Sequence, residues 1–142
     1  MKIYIASDHA GRPIKQKTKK ALKDLGHNVK DLSPTNTKTD DYPDFAKKVT
    51  KKVNENKNAL GFLSCATGTG ISIAANKQKG IRAAKVTNQE EAKLARKHNN
   101  ANVLVLGNNT QLDNDALRTI LKTFYETKFE KGRHLRRIKK IE

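Results

Sequence analysis

The chain has 142 residues, of which 30 are lysine or arginine against 14 aspartate or glutamate, giving a net charge of +16 with a single cysteine. That length suits one domain of ordinary size, and one cysteine excludes an internal disulfide and any multi-cysteine metal centre, in keeping with a reducing compartment. No run approaches the ~18 apolar residues of a membrane span, and Met1–Ala6 is apolar over too few residues for a secretory signal, so a soluble, cytoplasmic protein is expected.

Along the chain, short β-rich runs alternate with helical patterns. Lys2–Ala6 reads as a strand, Gly11–Leu25 as an amphipathic helix and, after Gly26, His27–Leu32 as a second strand. Ser33–Asp41 is a polar loop containing Pro34. Tyr42–Asn56 then reads as a helix, Ala59–Ser64 as a strand and Ile71–Lys77 as a short helix. Ile81–Val86 is a further strand, Gln89–His98 a helix, Asn102–Leu106 a fifth strand and Gln111–Lys128 a long helix, and the tail after Gly132 ends in another helical segment. This alternation predicts an α/β fold. It implies a doubly wound, five-stranded parallel sheet in a Rossmann-like three-layer sandwich, with ligands bound outside the C-terminal strand ends where strand order reverses.

The charge raises the question of nucleic acid. Lysines are scattered through Lys15–Lys23 and Lys47–Lys57 with apolar residues between them, the pattern of solvated helix faces, and only Arg133–Lys140 is a dense basic cluster. Aromatic residues make up 5% of the chain, too few for stacking platforms, and there is neither an RNP-type motif nor a zinc finger. Specific nucleic-acid binding is therefore not expected. A basic surface does attract phosphorylated metabolites.

The strand ends hold the candidate chemistry. Cys65-Ala66-Thr67-Gly68-Thr69-Gly70 joins a strand to a helix, its glycines let backbone approach a ligand closely, and the first turn of the helix offers free N–H donors to an anion. A thiol in that field suits a base or nucleophile, although a lone cysteine at a strand end is also read as a small core residue. The loop lacks both the GK[ST] ending of a nucleotide-triphosphate loop and the third glycine of a dinucleotide fingerprint. Ser7-Asp8-His9-Ala10-Gly11 follows the first strand, and His98-Asn99 stands just before the fifth. All are expected at one ligand edge, with helix capping as the plainer role for Asp8 and helix termination for His98.

Six blocks carry a wider resemblance: Ser7-Asp8-His9-Ala10-Gly11, Asp41-Tyr42-Pro43, Cys65 to Lys77, Gly80-Ile81-Arg82-Ala83, His98-Asn99-Asn100-Ala101-Asn102-Val103 and Gly132-Arg133-His134-Leu135-Arg136-Arg137. In order and spacing, over essentially the whole chain, they resemble ribose-5-phosphate isomerase type B and the related galactose-6-phosphate isomerase subunits. The resemblance implies a single isomerase domain over residues 1–142, with a basic tail from residue 133. It further implies a cofactor-free and metal-free aldose–ketose isomerisation between ribose 5-phosphate and ribulose 5-phosphate, through an enediolate, in the pentose phosphate pathway. By that resemblance Cys65 matches the proton-abstracting base, Asp8 and His98 match the ring-opening groups, and Thr67 with the N–H groups of Ala66, Thr67, Gly68, Thr69 and Gly70 matches the anion-stabilising loop. His9, Arg133 and Arg137 match phosphate ligands, for which guanidinium forks are suited. Tyr42 and Asn99 match sugar-contacting positions. It also implies a homodimer with the site at its interface, tetramers being the other assembly among such proteins.

Two positions depart from that pattern. Ala66 stands where the family usually has glycine, which would strain the loop if φ there were positive. Asn109 stands where an arginine commonly contributes to phosphate binding, and Asn is uncharged, leaving Lys85 or Arg136 as candidates to take over. A six-carbon sugar phosphate, allose or galactose 6-phosphate, is the alternative substrate, and a catalytically weak sugar-phosphate-binding protein is the alternative role.

Overall fold

Strict alternation of side chains along three central strands sorts the core into two layers. The computed structural model describes residues 1–142. Strands β1 (Lys2–Ser7), β2 (Asn28–Asp31), β3 (Ala59–Cys65), β4 (Ala83–Lys85) and β5 (Val103–Gly107) form one sheet in the order β2-β1-β3-β5-β4. All pairings are parallel, with Ile3 opposite Leu60 and Leu63 opposite Val105. Ile3, Ile5, Leu60, Phe62, Leu104 and Leu106 face one side, where they pack with residues of α1 (Arg12–Asp24), α4 (Gln89–Asn99) and α5 (Asn114–Glu126). Tyr4, Ala6, Leu63, Cys65, Val103 and Val105 face the other, against α2 (Tyr42–Glu55) and α3 (Thr69–Asn76). The expected doubly wound sandwich is what the chain builds.

Three element starts differ from expectation by two residues or more, for local reasons. The fourth strand starts at Ala83 rather than Ile81 because the Arg82 N–H donates to the Asn102 side chain, outside the ladder. Asp113 caps α5, its carboxylate accepting from the Ala116 N–H at 2.7 Å, so the helix starts at Asn114 and not at Gln111. Helix α3 starts two residues early, at Thr69, because Gly68 adopts the left-handed conformation (φ 79°) and turns the chain directly off β3.

Lys15 is not on a solvated helix face. Its side chain is fully buried, and Nζ donates to Asp31 Oδ1 at 3.1 Å, to Ser33 Oγ at 3.0 Å and to the Ser33 carbonyl. Ile14, Thr18 and Leu22, spaced four residues apart, point inward on α1, and Lys15 lies on the edge of that stripe where its stem packs and its head meets a carboxylate. Ser33 Oγ in turn accepts from the Ser7 N–H, so the lysine ties the end of β1 to the loop after β2.

After β5 the chain continues through α5 to α6 (Arg133–Lys139), which buries His134 and Ile138 and docks beside α4. The basic tail is thus an anchored helix. No helix is long and apolar enough to cross a membrane.

The turn after β1 is seated directly on β3. A methyl at Gly11 would lie 2.4 Å from the Ser64 carbonyl carbon and oxygen, and Ser64 Oγ donates to the Gly11 carbonyl at 2.9 Å. Gly11→Ala is therefore expected to cost about 1–3 kcal/mol by forcing these backbones apart. Urea unfolding checks this, the expected result being a lowered midpoint at unchanged slope.

Candidate active site

Three loops meet at the C-terminal ends of β1, β3 and β5. Cys65 ends β3 with its side chain buried, and the Gly68 N–H donates to Sγ at 3.2 Å. The loop that follows is clamped from β5: Asn108 N–H donates to the Cys65 carbonyl at 2.9 Å and Asn109 N–H to the Ala66 carbonyl at 3.0 Å. Gly70 lies under the Tyr42 ring, where a Cβ would come within 2.6 Å of the phenol, so the start of α2 roofs the start of α3. Of the loop amides, Gly68 serves the thiol and Thr69 donates to Thr67 Oγ1 at 3.2 Å, whereas Ala66, Thr67 and Gly70 carry no intramolecular acceptor. Those three N–H groups are free for an oxyanion.

Ala66 has an ordinary backbone conformation: positive φ among non-glycine residues occurs only at Asn100 and Lys131. The exposed Ala66 methyl imposes no backbone strain. Asn109 is exposed and works through its backbone in the loop clamp, while Lys85 reaches the same loop, Nζ lying 3.4 Å from Thr69 Oγ1.

Beside this loop, Asp8 is buried. Its Oδ1 accepts from the Gly11 N–H at 2.9 Å, which closes the turn before α1 rather than capping the helix, whose N-cap is Gly11, and Oδ2 remains without an intramolecular donor. His9 is partly exposed and held by Asp40, a residue that the sequence pattern did not single out. Asp40 Oδ1 accepts from the His9 N–H at 2.9 Å and meets Nδ1 at 2.6 Å. Asp40 Oδ2 accepts from Asn36 Nδ2 and the Thr37 N–H, and these donors together with His9 outweigh burial and hold its carboxyl down at about 2.

His98 and Asn99 do not join them. Helix α4 begins just after β4 and runs back beneath the sheet for 11 residues, about 16 Å, so its last turn lies beside the strand starts. There Arg82, at the head of β4, donates through Nε to the Asn99 and Asn100 carbonyls. A position just before a strand is at the edge opposite to a position just after one, which is why the sequence order misplaced these two residues. Arg133 and Arg137 are at this same far edge, on α6, and the His98 and His134 rings stack at 4.2 Å with 12° between planes. The site residues thus fall into two groups. Asp8, His9, Tyr42, Cys65–Gly70 and Asn109 occupy one edge of the sheet, and His98, Asn99, Arg133 and Arg137 the other.

His98, Glu130 and His134 place ligand atoms within 4.8 Å of one another, which raises the question of a metal ion. The stacked imidazoles aim their in-plane lone pairs side by side rather than at one point, and Glu130 is already paired to Lys97 at 3.1 Å. With Arg133 and Arg137 on the same helix, the cluster suits an anion better than a dication.

Fold and strand-edge site together define a class: a doubly wound α/β protein presenting a thiol, a carboxylate and free loop amides to a small anionic ligand. The Ribose/Galactose Isomerase family model matches residues 3–141, and the chain belongs to that family. It is 47% identical over 141 residues to a probable ribose-5-phosphate isomerase B of Mycoplasma genitalium, covering 98% of this chain and 92% of that one. A crystal structure of a ribose 5-phosphate isomerase from Thermotoga maritima superposes with a TM-score of 0.92 at 46% identity, covering 99% of this chain and 96% of that one. Ribose-5-phosphate isomerase B from Mycoplasma genitalium with bound ribulose 5-phosphate superposes with a TM-score of 0.90 at 46% identity, covering 99% and 93%.

The His134 imidazole is held below its ordinary value, first by burial and then by the charges of His98 and Arg133. The unfolded chain, with an ordinary imidazole near pKa ~6.5, therefore binds the proton more readily, and stability must fall as pH drops through that value. Amide exchange in α6, corrected for intrinsic chemistry, is expected to be faster at pH 5.5 than at pH 7.5, and His134→Gln should abolish the difference.

Proposed function

We propose that this chain interconverts ribose 5-phosphate and ribulose 5-phosphate, with residues 1–142 forming one isomerase domain. The observation that carries this reading is the likeness, over 99% of the chain, to an isomerase structure that holds ribulose 5-phosphate. The chemistry fits the strand-end groups. Asp8 and His98 shuttle protons during ring opening, and Cys65 Sγ then takes the proton from C2 of the open aldose. The C2 electron pair forms the enediolate C1–C2 double bond while charge passes to O1, where Thr67 and the free N–H groups of Ala66, Thr67 and Gly70 donate to it. The thiol returns its proton to C1, and transfer of the O2 proton to O1 completes the ketose. Tyr42 and Asn99 contact the sugar, and His9, Arg133 and Arg137 hold the phosphate.

These roles need both edges of the sheet at one substrate. One chain cannot supply them, because the sheet separates Cys65 from His98. A second copy can, by placing its α4 terminus and α6 over the strand ends of the first. The reading is accordingly a homodimer with shared sites, each built from the Cys65 edge of one copy and the His98 edge of the other.

Purified Cys65→Ser and His98→Asn proteins are each expected to lose ribose 5-phosphate turnover by at least about 100-fold. Co-expressed in equal amounts, they should recover about a quarter of wild-type activity, since half the dimers are mixed and each mixed dimer carries one intact site. Turnover by wild type without recovery in the mixture would sink the shared site and leave the reaction standing. A higher kcat/KM for allose or galactose 6-phosphate than for ribose 5-phosphate would overturn the five-carbon assignment.

A further inference from the structure

We propose that Asp40 is a positioning residue that orients His9 for the substrate phosphate and sets the pH range over which that phosphate is held. The inference rests on the isomerase reading for the identity of the ligand, and on the geometry of the loop after β2 for the rest. Asp40 grips His9 twice through one oxygen, at the main-chain N–H and at Nδ1, while its second oxygen is fixed by Asn36 and Thr37. Asn36 is itself anchored, donating to the Ser7 carbonyl at 2.9 Å and accepting from Arg12 Nη1 at 3.1 Å. Arg12 also donates to the Pro34 carbonyl. The carboxylate is therefore a rigid mount, its side chain only 13% exposed, and the His9 ring stands 43% exposed on it. With Nδ1 taken, the tautomer and the ring direction are decided, and Nε2, which has no intramolecular partner, is the atom left to face a ligand.

Charge follows from the same contacts. The hydrogen bond to Asp40 is the largest influence on His9 and raises its pKa above 6.5; burial, second in size, opposes it, and the negative charges of Asp40 and Asp8 add to the rise. The charged groups around the ring are Asp8 from the β1–α1 turn, Asp40 from the β2–α2 loop and Arg12 from α1, which is turned away into that loop. In the proposed shared site, Arg133 and Arg137 of the second copy would oppose this, and the carboxylates of Asp40 and Asp8 work against them. An imidazolium at His9 adds a charged donor to the phosphate at the edge where Asn109 is neutral.

Histidine ring protons followed by NMR, together with the pH profile of KM and kcat for ribose 5-phosphate between pH 7 and 9, test the proposal. Above pH 7 the sugar phosphate is already the dianion, so its own titration near pKa ~6 does not intrude. In wild type the His9 midpoint should lie above 6.5 and KM should rise through it at nearly constant kcat. In Asp40→Asn, which keeps an acceptor but removes the charge, the midpoint should fall and KM at pH 7.5 should rise several-fold while kcat stays within about twofold. Asn36→Ala loosens the loop but leaves the carboxylate and its Thr37 contact, and should shift the His9 midpoint by less than Asp40→Asn does. A His9 midpoint unchanged in Asp40→Asn, or superimposable KM profiles, would overturn the proposal, as would an Asn36→Ala midpoint that moves as far as that of Asp40→Asn. If wild type fails to turn over ribose 5-phosphate, the isomerase reading falls, and the His9 midpoint with inorganic phosphate as probe still decides the Asp40 pairing.

Discussion

Direct backbone contact between three strand ends is the constraint on which the rest of this structure depends. Gly11 rests on Ser64, Gly107 lies where a Cβ would meet the Thr67 carbonyl oxygen at 2.4 Å, and the amides after Gly107 donate to the Cys65 and Ala66 carbonyls. No side chain is interposed, so the loops cannot shift separately. Cys65 is held between neighbours on both sides, and the free amides of its loop keep their direction without a bound ligand to organise them. Preorganised donors of this kind lower a barrier because their orientation cost is met during folding. The core beneath is ordinary aliphatic packing on two faces, and what distinguishes this edge is how little material separates its loops.

The same parallel topology that gathers these loops divides the site. Every crossover helix starts at one edge and ends at the other, so any functional residue in a last helical turn is carried to the strand starts. His98 is such a residue, and α6 docks where α4 ends, bringing Arg133 and Arg137 to the same place. The buried His134, stacked on His98, couples the two helices. On the isomerase reading proposed above, a sheet with its base and loop at one edge and its guanidinium cluster at the other is half a site twice over. Self-complementary association is the simplest way to close it, because a two-fold axis pairs each edge with its opposite in a second copy.

How much of this was legible follows from range. Alternation of apolar runs and helical periodicity placed every strand and helix, since each is decided within a window of a dozen residues. Errors came where a distant side chain intervened, as when Asn102 took the Arg82 amide out of the β4 ladder, or where one residue ended a helix early, as Asp113 does. Cys65, Asp8 and His9 could be found because glycine-bearing turns mark strand ends locally. The far-edge position of His98 was implicit in helix length but required following α4 through its turns. Asp40 gave no local signal at all: an aspartate in a polar loop becomes a partner of His9 only when β1 and β2 pair and bring residues 31 apart in sequence together. Lys15 was misread for the same reason, because its partner Asp31 lies on the next strand.

The high net charge, finally, needs two explanations rather than one. Exposed ion pairs such as Lys20–Asp24, Lys52–Glu55 and Lys97–Glu130 use part of the acidic complement, and with 14 acids against 30 bases most lysines have no partner. Spread over outer helix faces, they create a general positive field that draws in a sugar phosphate but is screened within about 10 Å at 0.1 M salt. Such a field cannot orient a substrate. In the site proposed above, orientation falls to the few basic side chains held in place by the fold: His9 on Asp40, Lys85 beside Thr69, and the arginines of α6. On that reading basicity at large governs encounter, while the mounted charges govern where the phosphate stops, and only the second depends on the fold.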